Sequence, residues 1–107
     1  MEEYSIRIAT EFSDKPGGRW RNLSSNSGEA FYEDILLPKF KTAKEEGKKL
    51  YIYLDGAKSY PNSFLDQSFG ELGRKYGVET VEDIIIFKTT GFLWTVNYIK
   101  TEIWQRR

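Results

Sequence analysis

The apolar positions along this chain switch between a period of two and a period near 3.6, and each switch marks an element. Tyr4, Ile6, Ile8 and Thr10 alternate with Ser5, Arg7, Ala9 and Glu11, which predicts a half-buried strand from Tyr4 to Phe12, near a sheet edge at its start. From Ser13 to Ser27 no apolar period continues, and Pro16, Gly17 and Gly18 demand a turn. This longest loop reads either as functional or as a surface loop pinned by Trp20 and Leu23. Ser27 is placed to cap a helix in which Phe31, Ile35 and Leu36 share a face, with Glu29, Glu33 and Asp34 near the positive end of its dipole. Pro38 removes an amide donor and crowds the carbonyl of Asp34, which predicts a kink before Phe40 and Ala43 carry the stripe to Gly47.

The second half is more sharply written. Leu50 to Leu54 is a continuous apolar run ended by Asp55-Gly56, the pattern of a central strand covered on both faces. A Ser/Tyr/Pro/Asn turn follows, then a helix whose Phe64, Leu65, Phe69, Leu72 and Tyr76 face inward. Gly77 is its expected left-handed stop, with Val78 as the apolar contact after it. Glu79 to Asp83 reads as a short polar turn and Ile84 to Phe87 as a third strand. Strand, helix and strand in this order imply a right-handed crossover between parallel strands. Phe92, Val96, Ile99 and Ile103 then fall at helical intervals, while Trp94, Tyr98 and Trp104 exceed one stripe, leaving a self-association surface or a covered second face open.

Composition narrows the chemistry. The 107 residues suit one domain, 1–107, with one sheet and one core, and seven Phe, seven Tyr and three Trp supply much of its filling. Sixteen basic and sixteen acidic residues cancel, which removes the broad attraction that general nucleic-acid or membrane binding requires. There is no Cys and no His, so disulfides, thiol nucleophiles, His-based triads and zinc sites built on those ligands are excluded. No apolar run approaches a membrane span and the acidic start lacks a basic signal region, so a cytoplasmic protein is expected.

The turn before the middle helix holds Ser59, Tyr60, Asn62 and Ser63, and Ser63-Phe64-Leu65-Asp66 fits a capping box. A serine hydroxyl at an exposed helix start is also a site where phosphorylation could act as a binding switch. Gly17-Gly18-Arg19 invites a phosphate cradle, but without GxxxxGK[ST] or GxGxxG the turn reading is favoured. Asp55, Asp66 and Glu71 could hold a hard cation, yet an acceptor role in a turn and in a cap explains the first two. No cofactor or metal is expected.

With these residues in view, the chain resembles the bacterial STAS-like family of unknown function, a relative of the STAS domains of anti-anti-sigma factors. The matching pieces are Phe12-Ser13 leading to Pro16-Gly17-Gly18-Arg19, Ser27-Gly28-Glu29 with Phe31, Leu37-Pro38, Leu54-Asp55-Gly56, and Ser63-Phe64-Leu65-Asp66 with Phe69-Gly70. The resemblance implies an α/β domain with a mixed sheet of about four strands and helices mainly on one face. It also implies that Ser63 stands where anti-anti-sigma factors are phosphorylated, and that a histidine-kinase-like ATPase is the partner.

Two functions are therefore expected to compete. The first is a non-enzymatic regulatory module, bacterial or from a phage, that binds a regulatory protein through Asp55, Ser59, Tyr60, Asn62, Ser63, Asp66, Arg19 and Trp20, with Ser63 as the phosphorylated switch. The second is a small inhibitory or structural binding protein from a mobile element, which contacts its target through the C-terminal helix aromatics and the 13–27 loop; a homodimer is compatible with either. An enzyme built on Asp55, Ser63 and Arg19 is disfavoured, because no base to activate the serine is evident.

Overall fold

The chain's strands all point the same way. In the computed structural model, which describes residues 4–105, β1 (Ser5–Arg7), β2 (Leu50–Tyr53) and β3 (Ile85–Lys88) form a parallel sheet in the order β1-β2-β3. Ile6 pairs with Ile52, and Ile52 with Phe87, so the register lines one face with Ile6, Leu50, Ile52 and Ile85, all buried. The expected mixed sheet of about four strands is thus a three-stranded parallel one among the described residues. The chain between β1 and β2 and between β2 and β3 is a helical crossover, so no hairpin adds an antiparallel neighbour.

Strand β1 is shorter than its alternation predicts. One helical turn, α1 (Ile8–Glu11), begins directly after Arg7, and the amides of Phe12 and Ser13 both return to the Ile8 carbonyl. Ile6 and Ile8 are nevertheless both sealed from solvent, as the period of two requires.

The first crossover is one continuous helix in three pieces: α2 (Gly28–Phe31), a π-helical turn (Tyr32–Leu36) and α3 (Leu37–Glu46). Ser27 caps it as expected, its Oγ accepting from the Ala30 amide at 3.1 Å. The break expected at Pro38 takes the form of that π turn: the Leu37 amide reaches back to the Tyr32 carbonyl, and the wider turn accommodates a proline that has no amide of its own. Gly47 ends the helix at φ 68°, in the left-handed region, and donates to the Lys44 carbonyl.

The second crossover contains α4 (Asn62–Leu65), a π turn (Asp66–Gly70) and α5 (Glu71–Tyr76) in one run, then α6 (Val78–Ile84). The polar turn expected at Glu79 to Asp83 is therefore a helix. Gly77 sits at the joint with φ 89° and ψ 137°, a positive φ but an extended ψ, so it redirects the chain into α6 instead of closing a left-handed cap. The final helix is α7 (Leu93–Tyr98) continued by a π turn (Ile99–Ile103).

The helices cover the Ile6, Ile52, Ile85 face. On the other face Tyr51 and Tyr53 stay half-buried, with the Arg7 guanidinium 4.0 Å from the Tyr53 ring centroid and Lys88 Nζ 5.5 Å from that of Tyr51. The expectation that β2 is covered on both faces is corrected accordingly: its apolar run includes two tyrosines that tolerate the wet side.

Rings do most of the core's work. Phe12, Phe31, Phe64 and Phe69 form a chain with centroids 5.3 to 6.0 Å apart along Phe12–Phe31, Phe31–Phe64 and Phe31–Phe69. Phe69 continues edge-on to Phe87 at 5.3 Å, and Phe87 to Trp104 at 5.8 Å. The Trp104 amide bonds to the Ile99 carbonyl five residues back, and the added residue per turn swings Trp104 inward, where only 1% of it is exposed. Trp104 is a core residue, not the surface aromatic that the second functional reading needs.

Candidate protein-interaction site

Parallel strands deliver their following loops to one edge, and that edge is where ligands of open α/β sheets usually bind. Here the three loops are physically tied together. The 13–27 loop meets the β2–α4 loop where the Lys58 amide donates to the Asp14 carbonyl at 2.7 Å. The β2–α4 loop meets the β3–α7 loop through Asp55, whose carboxylate accepts from the Thr89 hydroxyl (2.5 Å), the Thr90 amide (2.9 Å) and hydroxyl (3.1 Å), and the Gly91 amide (3.1 Å). Those donors, the Thr89 hydroxyl foremost, pull the Asp55 carboxyl down to about 2. Tyr60 packs edge-on to Phe92 with centroids 4.9 Å apart, closing the same seam.

Within this edge the sequence-expected residues separate into supports and exposed groups. Asp55 is spent on its neighbours. Tyr60 is buried, its hydroxyl donating to the Leu54 carbonyl at 2.6 Å, and burial raises the phenol's pKa; it is corrected from a partner-binding residue to a packing one. Ser59 and Asn62 are exposed and Ser63 half-buried.

The capping box is also corrected. Pro61 is the N-cap, Ser63 lies inside the first turn without a capping bond, and Asp66 turns away to ion pairs. The ring of Pro61 fixes φ at −64°, which is already the helical value, while ψ at 151° keeps this N-cap extended, and the helix starts without a side-chain cap. The Ser63 hydroxyl is consequently not committed to helix capping.

Asp66 joins two elements. Its Oδ2 accepts from Arg19 Nη1 at 2.7 Å and its Oδ1 from Arg74 Nη1 at 3.2 Å, while Arg19 Nη1 also lies 3.4 Å from Gln67 Oε1. Burial works against the charged form of Asp66, but the two guanidiniums outweigh it and lower its pKa. Glu71 shares Arg74, accepting from its Nε at 3.1 Å. Asp55, Asp66 and Glu71 are thus each engaged by protein donors, and among the described residues no acidic group of three is arranged to hold a metal ion. Gly17-Gly18-Arg19 likewise serves packing: the Gly17 amide donates to the Asn26 carbonyl, and the Gly18 and Arg19 carbonyls accept from Gly28 and Glu29.

The loop's apolar side chains do not pin it. Trp20 is 45% and Leu23 74% exposed, whereas Pro16 is buried and the backbone bonds just described do the anchoring. Leu93 and Trp94, 66% and 70% exposed, follow the Asp55-bound loop, with Trp94 stacked on Tyr98 at 5.3 Å. Thr89, Thr90, Gly91 and Arg74 were not singled out from the sequence. A Thr-Thr-Gly run after the next parallel strand, at the same sheet edge as Asp55-Gly56, was the available signal.

The STAS-like domain of unknown function, DUF4325, matches residues 27–91, more than half of the chain. The chain belongs to this family. No curated protein and no solved structure matches it. In this STAS-like domain the quoted motifs have packing reasons: a Cβ on Gly28 would stand 2.6 Å from the Phe64 carbonyl oxygen, and one on Gly70 would meet Ile103 at 3.1 Å. Phe12 and Arg19 lie before the matched residues, yet the STAS-like core uses both, Phe12 against Phe31 and Arg19 on Asp66. No helix among the described residues is long and apolar enough to cross a membrane.

Proposed function

We propose that this STAS-like domain is a non-enzymatic regulatory module that docks on a partner protein through the carboxyl edge of its sheet and is switched by phosphorylation of Ser63. The observation that carries this reading is the Ser63 hydroxyl, half-exposed and without a capping role, beside exposed Ser59 and Asn62. A phosphate there adds about −1.5 to −2 charges to that surface, enough to repel an acidic or apolar partner. The partner proposed is a histidine-kinase-like ATPase of the kind that pairs with anti-anti-sigma factors. Incubation with such an ATPase and ATP is expected to place one phosphate on Ser63, mapped by mass spectrometry. A complex equally stable with Ser63→Asp overturns the switch.

A second reading draws on four large apolar side chains that are exposed among the described residues, Trp20, Leu23, Leu93 and Trp94. In it the domain is an inhibitory or structural binder from a mobile element that grips its target with the 13–27 loop and α7. Trp94→Ala then abolishes target binding while Ser63→Ala leaves it unchanged; the reverse supports the first reading.

A further inference from the structure

We propose that Arg19 is the receptor for the phosphoryl group on Ser63, and that Arg74 is what frees it for that role. The proposal rests on the phosphorylation reading above and adds to it a conformational consequence. Ser63 precedes Asp66 by three residues and Gln67 by four in one continuous helical run, so all three share a face with Cβ atoms about 5–6 Å apart. Arg19 Nη1 contacts both Asp66 and Gln67, which places its guanidinium on that same face, one turn from the Ser63 hydroxyl.

Asp66 is the present holder of Arg19, and it has a second cation. Arg74 bonds to Asp66 Oδ1 through Nη1 and to the Asp66 carbonyl through Nη2 at 3.0 Å. When Arg19 leaves, Asp66 keeps a neutralising partner, so the transfer strands no charge. A phosphate dianion offers Arg19 more charge and a bidentate acceptor, and so outcompetes a carboxylate already shared.

The chemical step is a simple phosphoryl transfer. The Ser63 oxygen bonds to the γ-phosphorus of a nucleoside triphosphate as the bond to the bridging oxygen breaks. The diphosphate leaves with that electron pair, and the serine proton passes to a base on the phosphorylating enzyme. The backbone of Arg19 is held by the Glu29 amide on its carbonyl at 3.1 Å, so the side chain swings while its neighbour Trp20, half-exposed, registers the change.

The test places phosphoserine at position 63 of the full chain by site-specific incorporation during synthesis, so that it does not depend on any kinase. Phosphorus NMR titration is expected to show the second phosphate pKa about half a unit below that of an unstructured phosphoserine peptide, about threefold in the proton dissociation constant. Arg19→Gln should return it to the peptide value. Asp66→Asn, which releases Arg19, should lower it further, and this variant decides the matter if Arg19→Gln does not fold. A phosphate pKa that is the same in the wild type and in Asp66→Asn, and matches the peptide, overturns the proposal. A kinase that ignores Ser63 would overturn the proposed function and leave this result standing.

Discussion

The carboxylate of Asp55, at the end of β2, and the hydroxyl of Thr89, at the end of β3, meet at 2.5 Å and lock two parallel strands at their carboxyl ends. Because its bonds hold the charged form, Asp55 titrates at about 2 in the fold against an ordinary 3.8. A depressed carboxyl pKa contributes stability that is complete above the unfolded value and is lost as pH falls through the folded one. Wild type should therefore lose its stability advantage over Asp55→Asn between about pH 4 and pH 2. Urea denaturation at pH 7, 4 and 2 reads this, and an advantage unchanged across that window refutes it.

Two serines at helix starts should behave oppositely. Ser27 is buried and caps α2, so Ser27→Ala is expected to cost about 1 kcal/mol. Ser63 caps nothing, so Ser63→Ala should stay within about 0.5 kcal/mol of wild type. Chemical denaturation of both variants decides it.

The two tryptophans of the last helical segment also divide. Trp104 is sealed in the core with its Nε1 donating to the Phe69 carbonyl at 2.9 Å, and Trp104→Ala should lose about 3–5 kcal/mol. Trp94→Ala, on an exposed stack, should change stability by less than about 0.5 kcal/mol. Thermal unfolding of the two variants side by side is the check, and equal losses would contradict the inward turn of Trp104.

Glycine substitutions separate crowding from backbone preference. Gly28→Ala pushes a methyl against the Phe64 carbonyl oxygen at 2.6 Å and Gln67 Cβ at 2.9 Å, so it should cost about 1–3 kcal/mol and loosen the 13–27 loop. Gly47→Ala meets open space and pays only for its φ of 68°, about 1 kcal/mol. Limited proteolysis within 13–27 should accelerate for Gly28→Ala and not for Gly47→Ala.

Local features were legible along the chain. Alternation placed Ile6 and Ile8 inside, a continuous apolar run marked Leu50 to Leu54 as a strand, Ser27 announced a helix start, Gly47 its stop, and the motifs from Ser27 to Gly70 the family. Tertiary structure decided what local period cannot carry. A π turn inserts one extra residue, about 100° of rotation, so a stripe read at 3.6 residues per turn leaves Trp104 outside the inward face, and its bond to Ile99 turns it in. The Asp55–Thr89 and Arg19–Asp66 pairs lie 34 and 47 residues apart, and only the parallel register and loop docking bring them together. Ser63 is in the same position: the local pattern drew a capping box, but Pro61 starts the helix and Arg19 holds Asp66. Charges and caps respond to whichever partner the fold brings closest, and neighbours along the chain do not name that partner.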